Sequence, residues 1–122
     1  MKLTQAKKEF LKKNEENGLN GEEIAELIKY YLDETEIEFY YCGVAVNFFE
    51  RAKYRYKFIF SNFSIYLNFD VRKKTTPDEV KKALCDAFWN HFRKLKSLND
   101  ANSDFVEQGL KLLVNIKKDA KK

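Results

Sequence analysis

Residues 54–69 read Tyr-Arg-Tyr-Lys-Phe-Ile-Phe-Ser-Asn-Phe-Ser-Ile-Tyr-Leu-Asn-Phe, and this stretch decides the fold. Apolar residues recur at alternate positions on both sides of its centre, which is typical of two β-strands joined by a tight turn. Asn62 in that turn tolerates a positive φ. Pairing the strands outward from the turn sets Phe58 opposite Ile65, Tyr56 opposite Leu67 and Tyr54 opposite Phe69. The sequence therefore predicts a hairpin with one strongly apolar face.

A third strand precedes the hairpin, and twelve of the nineteen aromatic residues lie between Phe39 and Phe69. If residues 49–53 form a short loop, strand alternation puts every second residue of this strand on the apolar face. The residues expected there are Cys42, Val44, Val46 and Phe48. The opposite face then carries Tyr41, Arg55, Lys57 and Tyr66 among small and polar residues, and we expect it to meet solvent or a polar partner.

Four helices are predicted around this sheet, over residues 4–13, 21–33, 77–97 and 104–117. The second helix begins with Asn20 and Glu23 in the positions of a capping box, and the third begins with Thr76-Pro77-Asp78-Glu79. Apolar residues of the third helix, from Val80 to Leu95, recur at helical spacing and should cover the aromatic sheet face. The core side of the fourth helix is expected to hold Phe105, Val106, Leu110, Leu113 and Ile116.

The whole chain, residues 1–122, is thus predicted to be one α+β domain. A three-stranded antiparallel meander over residues 37–72 packs on the helices, and the order of elements is ααβββαα. With 44% apolar residues the chain can bury a sizeable core.

The sequence shows neither a membrane-length apolar run nor the apolar stretch of a signal peptide, so we expect a cytoplasmic protein without membrane contact. Cys42 and Cys85 lie within apolar patterns, which favours reduced core thiols. A disulfide between these two cysteines stays open as an alternative.

We expect no enzymatic activity, no cofactor and no metal. The four glycines fit neither of the usual phosphate-loop patterns. The one histidine, His91, lies in the apolar stripe of a helix, which favours a structural role, and no Cys or His spacing suggests a metal site. Cys85 is about 120° away from His91 around the same helix, so the two do not form a catalytic pair.

Direct binding of DNA or RNA is one hypothesis for the function. Interleaved aromatic and cationic residues on the polar sheet face would stack bases and neutralise phosphates, and a second basic cluster lies around the start of the third helix. The candidate residues are Tyr41, Arg55, Lys57, Tyr66, Arg72, Lys73, Lys74, Lys81 and Lys82.

The order helix, three strands, helix over about residues 20–96 resembles that of double-stranded-RNA-binding domains. In that family, lysines at the start of the last helix contact phosphates, and Lys81 and Lys82 occupy a comparable place. The resemblance is topological. The loop Phe49-Glu50-Arg51-Ala52-Lys53 lacks the family's Gly-Pro pair, and only Lys81-Lys82-Ala83 remains of its lysine-alanine motif.

Our leading hypothesis is a protein that binds a macromolecular partner as an inhibitor or adaptor. Residues 14–38 carry nine acidic residues against Lys29 alone, and such a surface suits a basic groove on a partner that handles nucleic acid. The candidate contacts are Glu22, Glu23, Glu26 and Trp89. The Lys-, Asn-, Ile-, Phe- and Tyr-rich composition is typical of phage or mobile-element coding.

Homodimerisation through the free edge of the first strand is a further hypothesis.

Overall fold

The structure is a computed structural model that describes residues 18–46, 51–61, 63–95 and 103–120. Its elements, in chain order, are helix α1 (Gly21–Tyr31), strands β1 (Glu38–Ala45), β2 (Lys53–Ile59) and β3 (Ser64–Asp70), and helices α2 (Pro77–Arg93) and α3 (Ser103–Ala120). This order confirms the predicted α+β class. The helix predicted over residues 4–13 lies outside the described residues. No described helix has the length and apolar character needed to span a membrane.

Both predicted helix starts are confirmed. At α1 the Asn20 side chain accepts a hydrogen bond from the Glu23 backbone N–H at 2.9 Å, and the Glu23 carboxylate accepts one from the Asn20 N–H at 3.0 Å. At α2 the Thr76 hydroxyl accepts from the Glu79 N–H at 3.2 Å, and Pro77 follows it at the first helical position. These bonds satisfy backbone donors that a helix start leaves without partners.

The sheet is antiparallel with strand order β1-β2-β3. The β2–β3 register agrees with all three residue pairs predicted from the sequence. The Phe60 N–H donates to the Phe63 carbonyl at 2.9 Å and closes the hairpin. The apolar pattern of residues 54–69 was therefore sufficient to set this register.

The predicted facing of β1 is wrong for the residues that precede a β-bulge between Tyr41 and Gly43. Before the bulge, Phe39 lies opposite Phe58 and Tyr41 opposite Tyr56, so these two rings belong to the apolar face. Gly43 has a φ of +82°, a conformation that favours glycine. The extra residue, Cys42, is exposed. After the bulge Val44 lies opposite Tyr54, on the apolar face as predicted, although it is 53% exposed; Val46 is 74% exposed. Phe48 lies outside the described residues.

The core lies between the apolar sheet face and the three helices. Tyr56 and Phe58 of β2, Phe88 of α2 and Phe105 of α3 are fully buried. The Phe58 and Phe88 rings meet edge to face at 5.6 Å between centroids, and Phe88 stacks on Phe105 at 5.7 Å. The predicted stripe of α2 is confirmed by buried Val80, Leu84 and Phe88. On α3 the prediction for Leu110 is wrong, because its side chain is 45% exposed and Leu112 is buried in the core instead.

The start of α1 lies directly against the sheet. The Tyr56 hydroxyl donates to the Gly21 carbonyl at 2.6 Å. A Cβ atom added at Gly21 would overlap the Tyr41 hydroxyl and lie 2.6 Å from Cδ1 of Tyr54. Glycine at this position therefore allows the helix backbone to approach three tyrosines of β1 and β2.

Candidate functional site

The sheet face turned away from the helices forms the candidate binding surface, which we call the open face. Its centre is a row across the three strands, in which Lys57 of β2 lies opposite Tyr40 of β1 on one side and opposite Tyr66 of β3 on the other. Tyr40 is 51% exposed and Tyr66 is 43% exposed. In the next row Arg55 lies beside Asn68, and both are exposed. The centre of the open face thus presents two tyrosines and two cations on paired strands.

The cations of the open face are ordered by a tyrosine ring. The guanidinium carbon of Arg55 lies 4.4 Å from the centre of the Tyr66 ring, and the Lys57 Nζ lies 5.7 Å from the same centre. Cation–π contacts at exposed sites contribute about 0.5–1 kcal/mol each. Among the described residues no carboxylate forms a salt bridge with Arg55 or Lys57. Both charges are therefore available to a partner.

The prediction of Tyr41 on this surface is wrong. Tyr41 lies on the apolar face, where its ring stacks on Tyr56 at 5.0 Å and meets Tyr54 edge to face at 6.5 Å. Burial raises the pKa of its hydroxyl, with smaller contributions from Tyr54 and Glu22. Tyr40 occupies the open face instead. Gly43 is the sequence signal that Tyr40 lies on the open face in place of Tyr41, since a glycine within a strand often marks a bulge.

The net charge of the open face is small. By register, Lys53, Arg55 and Lys57 share this face with Glu38 and Asp70. Three positive and two negative side chains give the open face a net charge of +1. The Asp70 carboxylate is also engaged elsewhere, because it lies 3.7 Å from Arg51 and accepts from the Arg72 N–H at 2.8 Å. The surface is aromatic and mildly cationic rather than strongly basic.

The second basic cluster predicted from the sequence surrounds the start of α2. Two of its five cations are paired: Lys73 with Glu79 at 3.1 Å and Lys81 with Asp78 at 3.5 Å. Burial alone would raise the pKa of Glu79, but hydrogen bonds from Lys73 and Thr76 more than offset it and lower the pKa. The other members, Arg72, Lys74 and Lys82, are exposed. A shallow groove of about 520 Å³ is lined by Arg72, Lys73 and Lys74 together with Glu23 and Tyr54.

The residues predicted to bind a protein partner are distributed over two helices. On α1, Glu23 completes the capping box and Glu26 lies 4.0 Å from Lys29, whereas Glu22 is exposed. Trp89 of α2 is 46% exposed and its ring lies 5.6 Å from that of Phe92. The sequence-predicted tryptophan is thus available at the surface, but Glu23 has a structural role in starting α1.

In the described part of the chain, one histidine and two cysteines are further side chains that could take part in catalysis or bind a metal. His91 stacks on Phe63 with 4.2 Å between ring centroids, and burial together with the Lys94 charge lowers its pKa. Cys42 and Cys85 are free thiols. The described residues contain no group of three or more His, Cys, Asp or Glu side chains placed to hold a metal ion.

We compared the chain with protein-family models, with curated proteins and with solved structures, and none of the three comparisons found a match.

Proposed function

We propose that this protein is a non-enzymatic binding protein that acts on a protein partner, as an inhibitor or adaptor, and that the open face is its contact surface. The observation that carries the proposal is the Tyr40–Lys57–Tyr66 row with Arg55 packed on Tyr66. Tyrosine and arginine are enriched at protein interfaces and among the residues that contribute most to binding energy.

The rigidity of this surface supports the same proposal. The four side chains stand on paired strands, and the Tyr66 ring already orders Arg55 and Lys57. Because fewer rotamers are lost on association, a pre-ordered surface loses less conformational entropy when it binds.

A partner that handles nucleic acid would suit the exposed acidic residues Glu22 and Glu26 of α1, since such partners present basic grooves. The two free thiols suit the reducing cytoplasm, which we propose as the location. The composition supports a phage or mobile-element origin as a further part of the proposal.

Direct binding of single-stranded DNA or RNA is the second candidate, favoured by the position of Lys57 between two exposed tyrosines. Such sites combine stacking rings with a cationic track along the phosphates. The open face has a net charge of only +1, and Lys73 and Lys81 of the second cluster are paired with carboxylates. These charges favour the protein partner over the nucleic acid.

The test compares capture of partners by the immobilised wild-type protein with capture by Arg55→Ala, Tyr66→Ala and the control Arg93→Ala. Arg93 is an exposed cation of α2 that lies outside the open face. We expect a partner retained by wild type and control but lost by both open-face variants. Truncating a central interface residue costs about 2 kcal/mol, or about thirtyfold in Kd. A partner retained equally by all four proteins would overturn the assignment of the open face.

Fluorescence polarisation with single- and double-stranded DNA and RNA, at two salt concentrations, separates the two candidates. Oligonucleotide binding that weakens steeply with salt and disappears in Arg55→Glu/Lys57→Glu would establish the second candidate and overturn the first. The first candidate predicts no such binding. Circular dichroism of each variant checks that the fold is retained.

A further inference from the structure

The outer side of α3 carries an apolar pair flanked by opposite charges. Leu110 and Val114 lie one turn apart and are 45% and 48% exposed. Glu107 lies about one turn before this pair, and Lys117 and Lys118 lie about one turn after it; all three are exposed. An apolar pair on an exposed helix face, with acid at one end and base at the other, has the pattern of a helix-pairing surface.

A groove of about 590 Å³ runs along this surface, between α3 and the segment that follows α1. Asp33 and Glu34 form its far wall. Asn115 holds that wall in place, because its side-chain amide donates to the carbonyls of Tyr31 at 2.9 Å and Asp33 at 2.8 Å. The groove is therefore a fixed feature of the fold.

We propose that this groove binds α3 of a second copy of the chain, with the two helices antiparallel about a two-fold axis. The spacing of the residues supports this occupant. Leu112 is midway between Leu110 and Val114 along the helix, and it is also midway between Glu107 and Lys117. One axis near Leu112 therefore places Leu110 against Val114 of the second copy and Glu107 beside Lys117 and Lys118 of the second copy.

Symmetry makes each of these contacts occur twice, as in other two-fold dimers. A parallel arrangement would instead set Glu107 near Glu107 and the lysines near the lysines of the second copy, and like charges facing each other disfavour association. Within one chain Glu107 lies 3.9 Å from Lys111. That pair is exposed and contributes little, so it does not prevent Glu107 from pairing across the dimer.

The first measurement is sedimentation equilibrium of the full chain between about 10 µM and about 1 mM, a range suited to an interface with so few exposed apolar residues. We expect the mass to rise from one chain to two. Glu107→Lys should weaken dimerisation about tenfold, because it sets positive charges against Lys117 and Lys118 of the second copy. The matched control is Asp86→Lys, which makes the same charge change at an exposed site on α2.

The decisive variant is the swap Glu107→Lys/Lys117→Glu, which exchanges the two charges that are symmetric about Leu112. Lys118 is kept, because it lines the groove together with Asp33 and Glu34. The swap should recover the wild-type dimer, whereas Val114→Glu should be a monomer. A wild-type protein that stays monomeric over the whole range would overturn the proposal. Dimerisation that survives Val114→Glu, or that the charge swap does not restore, would also overturn it and would direct attention to the edge of β1.

Discussion

At the scale of single residues, Tyr56 joins the sheet to the start of α1. Its ring is fully buried between Tyr41 and Phe69, and its hydroxyl reaches the Gly21 carbonyl. Burial raises the pKa of this hydroxyl far above its ordinary value, with added effects from Tyr41 and Tyr54. Tyr56 is therefore a neutral hydrogen-bond donor at neutral pH.

Replacing Tyr56 with phenylalanine should lower the free energy of unfolding by about 1 kcal/mol, because the ring is kept and one buried hydrogen bond is lost. Urea unfolding measures the difference. The matched control is Tyr66→Phe on the open face, where we expect a change within about 0.5 kcal/mol. Equal losses in the two variants would contradict the assigned role of the Tyr56 hydroxyl.

At the scale of elements, β1 shows where sequence reasoning reaches its limit. The β2–β3 hairpin was predictable because its turn is short and both strands alternate without interruption. In β1 one additional residue reverses the alternation, so residues before the bulge cannot be assigned to a face by counting back from the loop that follows the strand. Tyr41 was misplaced for this reason, whereas Arg55, Lys57 and Tyr66, which lie on the regular strands, were placed on the open face.

The cost of the bulge can be measured at Gly43. A Cβ atom added there meets nothing within 4 Å, but the residue has a φ of +82°. Gly43→Ala should therefore lower the free energy of unfolding by about 1–2 kcal/mol, through backbone conformation alone. Gly43→Asn should cost less, since asparagine adopts this conformation more readily. If asparagine proved more harmful than alanine in urea unfolding, the loss would have to come from packing instead.

At the scale of the whole molecule, one aromatic stack connects the β2–β3 turn to α2 and α3. His91 of α2 stacks on Phe63 beside the turn, and its ring centroid lies 4.9 Å from that of Phe105 of α3. The start and the core stripe of α2 were predictable because its N-cap and its period are regular, whereas the helix ends at Arg93, before the predicted bound of residue 97. Contacts between distant elements depend on how the helices cross, which a periodic pattern does not specify.

This stack makes the stability of the fold depend on pH. The pKa of His91 is lowered in the folded state, so the unfolded chain binds its proton first. Its contribution is complete above the unfolded pKa of about 6.5 and is lost as the pH falls through the lower folded value. We expect His91→Phe, which retains a ring that cannot be protonated, to reduce the fall in stability between about pH 7 and pH 5. Urea unfolding at several pH values tests this, and parallel curves for the two proteins would exclude His91 as the source.

The bulge in β1 also has a practical consequence for experiments on this protein. It leaves the Cys42 thiol exposed on the strand that carries Tyr40, while Cys85 is half-buried and its pKa is raised by burial and by Asp86. The thiolate of an accessible cysteine attacks the electrophilic reagents that are used for labelling. The natural sequence thus supplies a selective attachment point for a fluorophore or spin label next to the proposed contact surface, without any engineered cysteine.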